Sequence, residues 1–142
     1  MNSSVMTFSV GQPGQFRLVL ELGVDVLLPC ARLHSIHMNN VSRIKARLIS
    51  CGANVPATRE AEKHLWQRGI LCVPDFVSNA GGVLGGTMEF AGVSPSVIVK
   101  FVDRHFSRQA SALIQKARRE GLYIRDVAEE GAGVRLRRVK GS

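Results

Sequence analysis

Long hydrophobic runs are missing from this sequence. Arg, Glu, Asp or Gly interrupts every apolar stretch before it reaches the roughly 20 residues that a membrane-spanning helix needs. The N-terminal segment MNSSVMTFSV also lacks the basic and then apolar pattern of a signal peptide. We therefore expect a cytoplasmic protein with no membrane partner.

Cysteine is scarce as well. The three cysteines, Cys30, Cys51 and Cys72, are an odd number and stand in or beside apolar runs. This pattern predicts buried free thiols in a reducing compartment and argues against a disulfide framework. Cys30, His34 and His37 have a spacing that zinc sites use, but they bridge a strand end and a loop, and no fourth ligand pattern follows. We predict loop histidines there and no metal site.

Aromatic residues make up only 6% of the chain, and this affects how its charge is interpreted. The net charge of +8 is compatible with nucleic-acid binding, but much of it lies in the segments KARRE (116–120) and RLRRVK (135–140). Because no aromatic stacking residues interleave the basic tail, we favour solvated helix surfaces and do not expect a nucleic-acid partner.

Three short apolar runs recur at even spacing: VDVLLPC (24–30), RLISCGA (47–53) and ILCVPD (70–75). Each is almost continuously apolar, which is typical of strands covered on both faces. A helix-like segment fills each gap, and in the second gap Thr58 is the predicted N-cap and Gly69 the left-handed stop. Strands that alternate with helices predict an α/β fold with a parallel sheet.

Helices are predicted after the sheet. One begins at Asn79, a second has Ser94 as N-cap and Pro95 at its first position, and a last covers 124–136, weakened by GAG at its middle. The second helix has one apolar face, formed by Ile98, Val102, Phe106, Ala110, Leu113 and Ala117.

The N-terminal residues fit the pattern less well. VMTFSV (5–10) alternates like a strand, whereas FRLVLEL (16–22) alternates but could equally be helical. We predict a divergent segment over residues 1–22 and a Rossmann-like unit with a helical tail over residues 23–142.

Two asparagines follow predicted strands, Asn54 after the second and Asn79 after the third. Ligands of open parallel sheets bind at the carboxyl ends of the strands. An Asn amide both donates and accepts hydrogen bonds, which suits a ligand with a hydroxyl or carboxamide group. The alternative is that Asn54 only forms a turn and Asn79 only caps the next helix.

The segment NAGGVLGG contains four glycines within a predicted helix, and each glycine lowers the helix propensity by about 1 kcal/mol. Gly81 and Gly85 are four residues apart, as are Gly82 and Gly86, so each pair shares a helical face. A face without side chains lets the backbone approach a sheet or a ligand closely. The spacing is not G-x-G-x-x-G, and we predict no phosphate cradle here.

Residues 52–83, GANVPATREAEKHLWQRGILCVPDFVSNAGGV, resemble the glutamate/leucine/phenylalanine/valine dehydrogenases. The shared motifs are GAN-x-P-x-T, RGI-x-x-x-PD and NAGGV, and ELGVDVLLPCA (21–31) resembles the segment that precedes them. The resemblance implies a family in which a dinucleotide-binding domain follows a substrate domain. Its members interconvert an amino acid with its 2-oxo acid and ammonia, using NAD or NADP.

The resemblance also implies roles for individual residues. Asn79 would hold the nicotinamide carboxamide, Asn54 would lie near the nicotinamide ribose, and the backbone at Cys30 and Ala31 would flank the cofactor.

Three glycines are implicated in the same way. Gly81 and Gly82 would let the following helix pass close to the nicotinamide, and Gly86 stands where many members carry a substrate-binding Ser.

Two parts of the family pattern do not occur in the sequence. The Gly-rich turn of the first half of a dinucleotide fold is absent upstream of Val24, and so is the substrate domain with its catalytic Lys and Asp. We therefore expect the second half of a Rossmann domain, assign no catalytic residue, and expect substrate to bind only if the missing domain is supplied.

The apolar strand 24–30 would then lack its usual neighbour, so we expect VMTFSV or a second copy of the chain to cover this edge. A homo-oligomer is the predicted assembly. The alternative function is a non-catalytic module, derived from a dehydrogenase half, that assembles with itself or another protein.

Overall fold

The computed structural model describes residues 19–141. The chain divides into two compact units, Met1–Asp75 and Phe76–Ser142. The elements that lie wholly within the described residues are, in chain order, β1 (Val26–Leu27), a 3₁₀ turn (Val41–Arg43), β2 (Leu48–Ser50), α1 (Arg59–Gln67), β3 (Leu71–Val73), α2 (Asp75–Ser78), α3 (Ala80–Phe90), α4 (Pro95–Glu120) and α5 (Ile124–Lys140).

The first unit is built on a parallel sheet with the strand order β1-β2-β3. Leu27 pairs with Ile49, and Ile49 with Cys72, so the three predicted runs align side by side as expected. The paired segments are shorter than the apolar runs, and those of β1 and β3 end before Pro29 and Pro74, which have no N–H to continue a ladder. The prediction of an α/β fold with three parallel strands is confirmed.

Helix α1 covers this sheet and begins and ends as predicted. The Thr58 hydroxyl accepts a hydrogen bond from the Ala61 N–H at 3.3 Å, and Gly69 takes a φ of 75° directly after the helix. Ala61 and Leu65 are fully buried in the core, whereas Trp66 is only half-buried. The deepest apolar side chains of this core are those of Ile36, Ile44, Ile49 and Leu65.

The connection from β1 to β2 contains a 3₁₀ turn where a helix was predicted, so that prediction was wrong. The Asn40 side chain accepts from the His37 N–H at 2.9 Å and donates to the Ser35 carbonyl at 2.8 Å. These bonds give the backbone partners that compete with a helix. Ile36 then forms a parallel bridge with Ala57, which holds this connection in an extended conformation.

The second unit consists of helices. The predicted apolar face of α4 is confirmed, since all six of its residues are buried or half-buried. Pro95 occupies the first turn of α4, although the Ser94 side chain makes no capping bond, and Gly121 ends this helix with a φ of 64°. Helix α5 runs on to Lys140 instead of ending at Leu136, and it continues through the GAG segment.

Two surface contacts connect the last two helices. Arg135 donates to the Gln109 side chain at 2.9 Å, and Lys116 pairs with Glu130 at 3.6 Å. Contacts with a neighbouring helix commonly override weak intrinsic propensity.

Predictions for the N-terminal residues lie mostly outside the described part of the chain. This applies to the strand proposed for VMTFSV. Val19 and Leu20 are helical, so the described end of FRLVLEL follows the helical alternative. No helix within residues 19–141 is both long and apolar enough to cross a membrane.

Candidate functional site

Cys30, Ala31 and Asn54 lie just beyond the carboxyl ends of β1 and β2, where ligands of parallel sheets bind. All three are exposed, so the prediction of a buried thiol was wrong for Cys30, although it is confirmed for Cys51 and Cys72. The reason is that Cys30 follows Pro29 and lies beyond the last paired residue of its strand.

The segments that follow β1 and β2 contact each other directly. The Pro29 carbonyl accepts hydrogen bonds from the N–H groups of Gly52 and Ala53, at 3.2 and 3.0 Å. A Cβ atom placed on Gly52 would stand 2.5 Å from the Cys30 Sγ. The glycine of the GAN motif therefore permits a close approach between the two strand ends.

Val55 is the least expected residue of this region. It has a φ of 44°, in the left-handed region that β-branched residues rarely enter. Its N–H donates to the Asp75 Oδ2 at 3.0 Å, and its carbonyl accepts from the His34 N–H at 2.9 Å. Segments following all three strands thus meet at one residue.

Sequence reasoning missed both Val55 and Asp75. Valine gives no local indication of a positive φ. The acidic residue at the end of the apolar run ILCVPD was the available signal, because a carboxylate with only 9% exposure needs hydrogen-bond donors.

In the second unit, Asn79 occupies the N-cap position of α3 with a φ of −103°, and its side chain makes no capping hydrogen bond. Capping of α3 therefore does not account for the choice of Asn at this position. The side chain is half-buried.

The two glycine faces of α3 have different surroundings. A Cβ on Gly81 would stand 3.0 Å from the Val102 Cγ1, and one on Gly85 would stand 3.4 Å from the Ile98 Cγ2. This face packs on α4. By contrast, a Cβ on Gly82 or Gly86 would meet no atom within 4 Å. The second face is open, as a ligand-facing surface must be.

The predicted site residues are thus divided between the two units. Cys30, Ala31 and Asn54 belong to the first, and Asn79 with its glycines belongs to the second. That both sets face one groove stays a prediction.

A cavity of about 620 Å³ lies in the second unit, along α4 and α5. Apolar residues line most of it, together with the cations Arg108, Lys116 and Arg135. None of the predicted site residues lines it, so it is not part of the candidate site. Among residues 19–141, no three His, Cys, Asp or Glu side chains are grouped so as to hold a metal ion.

The fold and the strand-end residues define a Rossmann-like unit of the dehydrogenase type. The chain belongs to the glutamate/leucine/phenylalanine/valine dehydrogenase family, whose model matches residues 4–134.

Curated relatives include several glutamate dehydrogenases. The glutamate dehydrogenase of Thermotoga maritima is 46% identical over 89 residues, which cover 63% of this chain and 21% of that protein. The enzyme of Aeropyrum pernix is 49% identical over 72 residues, covering 51% of this chain and 17% of that protein. The NADP-specific glutamate dehydrogenase of Saccharolobus shibatae is 39% identical over 88 residues, which cover 62% of this chain and 21% of that protein. The chain spans about a fifth of the length of these relatives.

Solved structures show the same likeness. L-tryptophan dehydrogenase from Nostoc punctiforme superposes with a TM-score of 0.77 at 27% identity, covering 89% of this chain and 38% of that one. The hetero-hexameric glutamate dehydrogenase from Thermus thermophilus superposes with a TM-score of 0.69 at 28% identity, covering 80% of this chain and 29% of that one.

Proposed function

We propose that this chain forms the nicotinamide-side half of the NAD(P)-binding domain of an amino-acid dehydrogenase. The observation that carries the proposal is the start of α3. There, Asn79 stands at the N-cap position of the helix, and the Gly82 and Gly86 face of the same helix is open. This combination fits a flat carboxamide-bearing ring, since an amide can pair with a carboxamide and a bare backbone admits a ring.

Each predicted residue has a role in this proposal. Asn79 binds the nicotinamide carboxamide, Asn54 lies near the ribose, and the backbone at Cys30 and Ala31 flanks the cofactor. Gly82 allows the helix to pass close to the nicotinamide ring, whereas Gly81, for which the sequence suggested the same role, lies on the face that packs on α4.

Gly86 lies on the side of α3 that the substrate approaches. The cofactor, NAD or NADP, would supply the hydride acceptor for oxidation of an amino acid to its 2-oxo acid. This chain's residues would bind and orient the ring, and we assign them no proton transfer.

The remaining features extend the same proposal. Residues 23–142 form the Rossmann-like half with its helical tail, and residues 1–22 form a divergent segment. We place the protein in the cytoplasm, where the buried thiols of Cys51 and Cys72 would stay reduced.

We further propose self-association along the outer edge of β1. Within the described residues, β1 pairs only with β2, and unpaired strand edges tend to recruit a partner. The Thermus thermophilus relative is itself hetero-hexameric. Sedimentation over a range of concentrations tests this proposal, and a monomer throughout the range would contradict it.

The function is tested by titrating the full, isotopically labelled chain with NAD and with NADP, following the side-chain amides of Asn54 and Asn79 by NMR. We expect saturable shifts at both amides, with a dissociation constant on the order of millimolar for half a binding domain. Asn79→Ala should abolish the response at Asn54, whereas the exposed Asn39→Ala, a matched control, should leave it unchanged. An absence of shifts with both cofactors would overturn the proposal.

A further inference from the structure

We propose that Asp75 is a positioning residue for Asn54, an inference that rests on the function proposed above. The Asp75 Oδ2 accepts a hydrogen bond at 3.0 Å from the N–H of Val55. That N–H belongs to the peptide unit that joins Asn54 to Val55. By fixing this peptide plane, the carboxylate fixes the direction in which the chain leaves Asn54.

Val55 needs such a restraint because of its backbone conformation. A φ of 44° is sterically unfavourable for a β-branched side chain, and it persists only where surrounding contacts impose it. Side-chain packing does not impose it here, since Val55 is 40% exposed. The restraint must come from the backbone hydrogen bonds.

Two such bonds act on Val55 from opposite sides. The Asp75 carboxylate, which is largely buried, holds the N–H, while the His34 N–H, at 2.9 Å, holds the carbonyl. His34 lies after β1 and Asp75 lies after β3, so the segment after β2 is fixed between its two neighbours. A hydrogen bond to a carboxylate is also stronger than one between neutral groups.

The next residues of the same segment are anchored independently. The Pro56 carbonyl accepts from the Ile36 N–H at 2.9 Å, and the Thr58 N–H donates to the Ile36 carbonyl at 2.9 Å. The restraint from Asp75 therefore acts on the part of the loop that precedes Pro56, which is the part that carries Asn54.

The experiment compares four variants of the full chain. Asp75→Ala removes the acceptor, whereas Asp75→Asn keeps an amide oxygen that can accept the same N–H. Val55→Gly removes the need for the restraint, because glycine adopts positive φ readily. The double variant Asp75→Ala/Val55→Gly removes both the hydrogen bond from the Val55 N–H to Asp75 and the steric strain of a β-branched residue at positive φ.

NAD binding and the NMR shift of the Asn54 side-chain amide are the two readouts. We expect Asp75→Ala to weaken NAD binding about tenfold and to shift the Asn54 resonance, with Asp75→Asn staying within about threefold of the parent. The double variant should recover most of the lost affinity. Thr58→Ala, which removes the cap of α1 in the same unit, controls for general loss of stability and should leave NAD affinity unchanged.

The inference fails if Asp75→Ala binds NAD as the parent does, or if adding Val55→Gly to Asp75→Ala recovers none of the lost affinity. If Asp75→Ala does not fold, the double variant must fold, and failure of both would assign Asp75 a purely structural role and overturn the proposal. Should the parent not bind NAD at all, the proposed function fails separately. The shift of the Asn54 resonance by Asp75→Ala, and its return in the double variant, would still test the positioning role.

Discussion

The Cys30 Sγ lies where a side chain at Gly52 would begin, because a Cβ on Gly52 would stand 2.5 Å from it. This contact joins the ends of β1 and β2, the two positions that parallel sheets use for binding. It gives a packing reason for the glycine of the GAN motif that is independent of any cofactor. The same contact directs the thiol of Cys30 toward the second strand end.

Gly52→Ala should therefore force the Cys30 side chain away from its position. We expect a loss of about 1 kcal/mol in the free energy of unfolding, the cost of an off-rotamer side chain or slight overpacking. Urea denaturation measures this loss, and adding Cys30→Ala should restore most of it. Gly23→Ala is the control, since a Cβ on Gly23 meets no atom within 4 Å. Equal effects of the two alanines would show that the contact is unimportant.

Arg68 gives a second prediction, on the connection that was mispredicted. Its guanidinium donates to the carbonyls of Val41 and Ile44, the latter at 2.8 Å, and thereby binds both ends of the 3₁₀ turn. Arg68→Ala should lower the unfolding free energy by about 1–2 kcal/mol, because two carbonyls lose a charged donor. The unfolding free energy of Arg68→Lys should lie between those of the parent and Arg68→Ala, since an ammonium group lacks the forked pair of N–H donors of a guanidinium.

The control for Arg68 is Arg47→Ala, because Arg47 pairs with Asp25 at 4.0 Å and its side chain is 77% exposed. That exposed pair should contribute no more than about 0.5 kcal/mol. If the two alanine variants lose the same stability, Arg68 does not hold the turn.

How far the sequence could predict this fold depends on the sequence separation of the interactions. Continuous apolar runs predicted the three strands, and Thr58, Gly69 and Pro95 marked helix ends, because these signals act within a few residues. The helix predicted between β1 and β2 was wrong because the conformation of this connection depends on partners that are distant in the sequence. Arg68 reaches Val41 across 27 positions of the chain.

The candidate site shows the same division. The sequence located Asn54 just beyond β2, since that position follows from the strand alone, whereas Asn79 is separated from β3 by the short helix α2 and stands at the N-cap of α3. It did not reveal that the Asp75 carboxylate accepts a hydrogen bond from the Val55 N–H, 20 positions away in the sequence, because a valine does not indicate a left-handed backbone conformation. The sequence also did not show which glycine face of α3 is packed and which is open, because this difference arises from the packing of α4 against one of them.

Gly81 tests the packed face of α3. An alanine there gains helix propensity, but its Cβ would stand 3.0 Å from the Val102 Cγ1. We expect the clash to outweigh the gain and Gly81→Ala to lose about 1 kcal/mol of unfolding free energy. Thermal and urea unfolding measure this, and Val102→Ala should relieve the effect in the double variant. A stabilised Gly81→Ala would show that α3 and α4 can separate at no cost.

Gly82 tests the open face of α3, where stability and the proposed function make opposite demands. A Cβ on Gly82 meets no atom within 4 Å, so Gly82→Ala should raise the unfolding free energy by about 0.5–1 kcal/mol through helix propensity alone. The same methyl group would stand where the nicotinamide ring is proposed to lie, and NAD binding should weaken about tenfold. Gly131→Ala, at another open helical glycine in α5, should gain similar stability without losing affinity. A Gly82→Ala variant that is more stable and binds NAD as well as the parent would remove the open face of α3 from the proposed site.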